Sequence, residues 1–107
     1  MDDRLPAHFE VNALVRRVNA EGGFATVLHK GEPDAGTILV VLTNSREATR
    51  LYERMPSASG DRKWACVRTA DPVNINDFND YLARRHDRDR DIWIVELDIA
   101  NGERFIL

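Results

Sequence analysis

One hundred and seven residues, 43% of them hydrophobic and 31% charged, specify one domain, residues 1–107, large enough for a core without disulfide or metal staples. Eighteen acidic against fifteen basic side chains give a formal charge of −3, which makes nucleic acid an unfavoured partner. The longest apolar run, Ile38 to Leu42, is too short to span a bilayer, and the opening residues lack the basic-then-apolar order of a secretory signal. With Cys66 as the lone cysteine, the expected setting is the reducing cytoplasm.

Pro6 suits a first helical turn, and Val11, Leu14, Val15 and Val18 then repeat at the spacing of one apolar helix face. Gly22 and Gly23 end that helix. Residues 24–30 and 37–42 read as two strands around the turn-rich stretch from Gly31 to Gly36, most simply an antiparallel pair. The second is apolar on both faces and belongs at the centre of the sheet.

Residues 44–55 carry two signals. Asn44 followed by Glu47 imitates a capping box, and Ala48, Leu51, Tyr52 and Met55 have helical spacing, yet a strand is also compatible. Residues 63–69 alternate as a strand, with Trp64, Cys66 and Arg68 on one side. A second helix follows over Asp77 to about His86, capped by Asn74 or Asn76, with Ile75, Phe78 and Leu82 inward. Residues 92–98 form a clear strand, and Asn101-Gly102 reads as a turn into a final edge strand over 103–107. The expected fold is α+β: an antiparallel sheet of about five or six strands, in the order α-β-β-β-β-α-β-β, with both helices on one face.

Four stretches together resemble one family: Arg16 to Ala25, Asp34 to Val40, Tyr81 to Arg84, and Asp91 to Asp98 ahead of Gly102 and Phe105. They are similar to the small alphaproteobacterial family known as domain of unknown function 1491 (DUF1491), over essentially the whole chain. The resemblance implies a bacterial, cytoplasmic, stand-alone domain and brings no activity, cofactor or catalytic residue with it. Its members tend to place a glycine within 44–50, which implies a hairpin there. This chain lacks that glycine, and a strand over Thr49 to Met55 is the reading adopted.

Among candidate sites, Glu96 and Asp98 fall on one face of a strand and could hold Mg²⁺ or Mn²⁺ for attack on a phosphate ester, with Arg68 or Lys30 as the basic neighbour. Simple outward patterning of acids explains the same pair. His8, His29 and His86 lack the spacing of a metal motif, and Cys66 reads as a small buried hydrophobe. Arg16, Arg17, Arg84 and Arg85 make a basic stripe only if the two helices lie side by side. An antiparallel sheet covered on one side leaves Tyr52, Trp64 and Trp93 for a partner, and the edge ending in Phe105 to Leu107 open for strand pairing. The function expected is therefore a small non-enzymatic binding or accessory protein without a cofactor. Its partner is a second copy or another protein, met through Trp64, Tyr52, Phe105, Arg84 and Arg85. The alternative is a divalent-metal-dependent phosphodiesterase or nuclease built on Glu96 and Asp98.

Overall fold

The computed structural model describes residues 5–56 and 58–107. In chain order the elements are α1 (Ala7–Ala20), β1 (Phe24–His29), β2 (Ile38–Asn44), β3 (Glu47–Pro56), β4 (Arg62–Thr69), α2 (Ile75–Arg88), β5 (Trp93–Asp98) and a closing 3₁₀ turn (Gly102–Phe105). The α+β class stands, with two helices on a five-stranded sheet of order β1-β5-β2-β3-β4.

Three expectations are corrected. First, β1 pairs antiparallel with β5 instead of β2, and β5 pairs parallel with β2, so the sheet is mixed. The physical reason is burial. β2 is buried on both faces, and β5 along one face and at Ile94 on the other, and two strands so buried lie most favourably side by side in the middle. β1 alternates between half-buried and exposed and takes the margin.

Second, the helices lie on opposite faces. Ala7, Val11, Leu14 and Val18 of α1 pack with Ile38, Val40, Leu42, Trp93, Val95 and Leu97. Phe78 and Leu82 of α2 pack with Leu39, Val41, Leu51 and Ile94. Helices sharing one face would leave the second set in water, at about 1.5–3 kcal/mol for each large apolar side chain. Third, residues 102–105 form a 3₁₀ turn where an edge strand was expected. Asn101 takes the left-handed conformation with φ 56°, and Gly102 lies so close to Leu42 that an added Cβ would stand 2.9 Å from its Cδ2. The turn is thereby folded onto the core, and Phe105 is buried.

The ambiguous stretch is a strand. Leu51 and Tyr52, adjacent in sequence, are buried on opposite faces, which a helical surface stripe cannot achieve. Asn44 Oδ1 accepts the N–H groups of Arg46 (2.7 Å) and Glu47 (3.1 Å), the contacts a helix cap would make. Here they close a hairpin turn without glycine. A bulge sets Arg68 opposite Leu51 and Cys66 opposite Tyr52, leaving Val67 as the extra residue. Trp64 and Cys66 therefore face α1, whereas Arg68 faces α2, donating to Asp77 (3.0 Å) and lying 4.2 Å from the Tyr81 ring centroid. Cys66 is exposed, because β4 forms the far margin of the sheet.

Both helix starts depend on neighbouring loops. Pro6 occupies the cap position of α1, and the first helical N–H groups, of Ala7 and His8, donate to the carbonyls of Asp34 (3.0 Å) and Pro33 (2.9 Å). Asn74 stands at the start of α2 without a side-chain capping bond.

Candidate functional site

The alternation of β3 sends Arg50, Tyr52 and Arg54 to the side of α1, beside Trp64 of β4. The helix covers the β1–β5 half of that face, and the closing turn covers part of the rest. Between them lies a groove of about 300 Å³ lined by Leu5, Glu10, Ala13, Leu14, Arg17, Ile38, Trp64, Phe105 and Ile106. Its floor is apolar. A smaller recess of about 110 Å³ shares Leu5 and Glu10 with it and adds Asp34, Arg54 and Arg62.

Arg54 organises the junction of the two. Its guanidinium forks onto Glu10 (2.7 and 3.1 Å) while its central carbon stands 4.8 Å from the Trp64 ring centroid. Arg17 lies 5.3 Å from the Phe105 ring centroid and donates weakly to the Phe105 carbonyl (3.4 Å). Arg50 joins Glu103, Glu47 (2.9 Å) and the Tyr52 hydroxyl (3.1 Å). The Nε atoms of Arg50 and Arg54 are buried without a hydrogen-bond partner. Burial pushes the Tyr52 hydroxyl up from its ordinary pKa. A bond from its own backbone, and then Arg50, hold the Glu103 carboxyl below the usual range.

The five interface residues expected from the sequence do not form one surface. Tyr52 and Phe105 are buried at 7% and 5% exposure and act as core, and Trp64 is half-buried under Arg54. Arg84 is exposed on α2, across the sheet, and Arg85 is clamped to Glu53 (2.8 Å) and the Tyr81 hydroxyl (3.1 Å). Glu53 first, and Tyr81 after it, raise the Arg85 pKa further above its ordinary value. With α1 and α2 on opposite faces, Arg16, Arg17, Arg84 and Arg85 make no continuous stripe.

Glu96 and Asp98 do share a face, on the part of the sheet that α2 leaves open. Glu96 is half-buried, and burial, followed by the Asp98 charge, pushes its carboxyl above the usual range. Among the described residues, no group of three or more His, Cys, Asp or Glu side chains gathers at a metal-binding distance.

The residues that sequence reading missed are Glu10 and Ala13 in the groove and Arg54 at its junction with the recess; Arg17 is singled out in the sequence only as part of a basic stripe. Residues 10, 13 and 17 form a helical stripe beside Leu14, and Arg50, Tyr52 and Arg54 alternate at strand period. Neither signal identifies a groove until the closing turn is known to fold back over the sheet.

His29 and His86, remote in sequence, stack with ring centroids 4.6 Å apart, and His86 Nε2 lies 3.0 Å from the Lys30 carbonyl oxygen. Burial and the facing His86 lower the His29 pKa below 6.5, with Arg90 adding to the effect and Asp87 opposing it. The folded chain then binds fewer protons at this site than the unfolded chain. The resulting stability is complete above pH 6.5 and is lost as the pH falls through 6.5 toward the folded value. Melting temperatures should drop more steeply between pH 7 and 5.5 in the parent than in His29→Gln. Parallel curves would contradict this assignment.

No curated protein matches the chain significantly. A crystal structure of a DUF1491 family protein from Caulobacter crescentus CB15 is 35% identical, with 96% of this chain and 95% of that one covered and a TM-score of 0.83. An NMR structure of a DUF1491 family protein from the same organism gives 34% identity, coverage of 95% and 92%, and a TM-score of 0.77. The solution structure of protein Atu0922 from A. tumefaciens is 28% identical, with 96% and 92% covered and a TM-score of 0.74. The family profile described as "Protein of unknown function (DUF1491)" matches residues 5–107, and the chain belongs to that family.

Proposed function

We propose that the protein is a non-enzymatic binding module whose groove, between α1 and the β3–β4 half of the sheet, takes an apolar segment of a partner protein flanked by acidic residues. The observation that carries this reading is the groove itself. An apolar floor of Leu14, Ile38, Trp64, Phe105 and Ile106 is open beside a rim rich in arginine. Arg17, Arg54 and Arg62 stand on that rim, and Arg16 follows Leu5 and Phe9 along the outer side of α1. Among the described residues the rim carboxylates are Asp34 and Glu10; Glu10 and Arg54 engage each other, which leaves Arg17 and Arg62 beside Asp34. A surplus of guanidinium around an apolar slot favours an anchor side chain with Asp or Glu beside it, since planar cations donate bidentate bonds to carboxylates.

Peptide-display selection against the whole chain tests the reading. The enriched sequences should share an aromatic or aliphatic anchor flanked by acids, and synthetic copies should shift the emission of half-buried Trp64. Ala13→Arg, which plugs the groove from the exposed side of α1, should weaken binding about tenfold or more. Selection without a shared motif, or peptides that bind Ala13→Arg as well as the parent, would count against it.

A further inference from the structure

The two margins of the sheet are defended differently. β4 carries Arg62, Lys63 and Arg68, charges that discourage a further strand from adding; a bulge is common to both margins, at Val67 of β4 and at Leu28 of β1. β1, Phe24-Ala-Thr-Val-Leu-His29, has no acidic residue, no lysine or arginine and no proline. Its Ala25 N–H points away from β5, donating to Asn19 Oδ1 at 3.2 Å. The hydrogen-bonding groups of Ala25, and by strand period those of Val27, therefore face outward. Phe24 is 73% exposed and Leu28, the extra residue of the bulge that ends the regular pairing with β5, 38%; alternation runs unbroken from Phe24 to Val27 and brings Leu28 toward the side of Phe24.

We propose that β1 pairs antiparallel with β1 of a second copy about a two-fold axis at Thr26, giving one continuous sheet across the dimer. In that register Ala25 exchanges backbone hydrogen bonds with Val27 of the second copy, twice by symmetry. Phe24 then stands opposite Leu28 of the second copy, so both exposed apolar side chains are covered. The flanking charges also match. Exposed Lys30, just past the end of β1, is carried toward Glu21 of the second copy, just before the start of its β1, whose carboxylate already pairs with Arg104 at 3.1 Å. The Ala25 N–H exchanges an exposed side-chain bond for a backbone one. Pairing over so few residues lies at the small end of specific interfaces, so the dimer forms in a concentration-dependent way.

Light-scattering mass and sedimentation of the whole chain across a concentration series provide the test. The mass should climb from 12.2 kDa toward twice that value. Phe24→Lys and Leu28→Glu should each weaken association about tenfold or more, and the combined variant should recover it, because positions 24 and 28 meet only across the two-fold axis. Thr26→Lys sets like charges against each other at the axis and should hold the chain at monomer mass without altering the core. Circular dichroism shows that each variant is folded. A chain that stays monomeric at the highest attainable concentration overturns the proposal. So does a dimer indifferent to Phe24→Lys and Thr26→Lys, and recovery absent from a folded combined variant overturns the register.

Discussion

Truncating Phe78 to alanine should lower the unfolding free energy by about 3–5 kcal/mol. Phe78 is 2% exposed, and with Leu82 at 4% it supplies the fully buried contact surface of α2. Beneath it lie Leu39, Val41, Leu51 and Ile94, all at 0–1% exposure on the face opposite α1. Among the described residues no second helix stands on this face to close over the cavity. The polar contacts that tie α2 to the sheet, Arg85 to Glu53 and Arg68 to Asp77, lie around the apolar contact and cannot fill it. Since whole domains are stable by only about 5–15 kcal/mol, the variant should sit near the edge of folding. Each kcal/mol should appear as a fall of about 4–8 °C in melting temperature for a domain near this size. Ile75→Ala, on the same helix but at a residue 40% exposed, should stay within about 0.5 kcal/mol. Equal losses in the two variants would mean that α2 is not seated through Phe78.

That two-faced packing was partly written in the sequence. The run Ile38 to Leu42 is apolar without alternation, and such a strand needs cover on both sides. Residues 92–98 carry the same signal in Ile92, Ile94 and Val95, but Glu96 and Asp98 suggest one wet face. Half of that inference survives. The β5 face is dry under α2 at Ile94 and open only where Glu96 and Asp98 lie. The parallel pairing of β5 with β2 was not legible, because it joins segments about fifty residues apart and depends on which strand tolerates the margin. Local turn chemistry misled at both ends of the argument. Asn44 makes the contacts of a helix cap within a hairpin, and Asn101-Gly102 starts a 3₁₀ turn instead of an edge strand.

The site followed the same logic. Aromatic residues stood out in the sequence as a surface for partners, but in a chain of this size Tyr52 and Phe105 are needed for the core. What borders the open groove is arginine and the small residue Ala13, types that carry little signal when read singly. The fork between Arg54 and Glu10 spans forty-four positions and exists only because α1 crosses the face to which β3 presents its even-numbered residues. Tertiary geometry, more than residue type, makes this groove.

Replacing Gly31 by alanine should cost about 3 kcal/mol, at the upper end of the usual penalty for overpacking. The loop from Gly31 to Gly36 arches over the start of β5, because β1 and β2 flank that strand instead of each other. It rests directly on backbone. A Cβ at Gly31 would collide with the Asp91 carbonyl oxygen and come within 2.7 Å of the Ile92 carbonyl carbon, and neither can rotate aside. Lifting the loop strains the bonds from Glu32 N–H to the Asp91 carbonyl (3.0 Å), from Trp93 N–H to the Thr37 carbonyl (2.8 Å) and from the Trp93 indole to the Glu32 carbonyl (2.8 Å). It also draws the Pro33 and Asp34 carbonyls from the first N–H groups of α1, where Pro6 offers no side-chain cap. Gly22→Ala provides the comparison. With φ +89° and nothing within 4 Å of the added carbon, it should cost about 1–2 kcal/mol for left-handed backbone alone. Urea unfolding measures the difference, and hydrogen exchange locates it. The Trp93 indole and His8 amide protons should exchange faster in Gly31→Ala and remain protected in Gly22→Ala. Equal costs, with both protons still protected in Gly31→Ala, would show that the loop has room and that α1 begins without it.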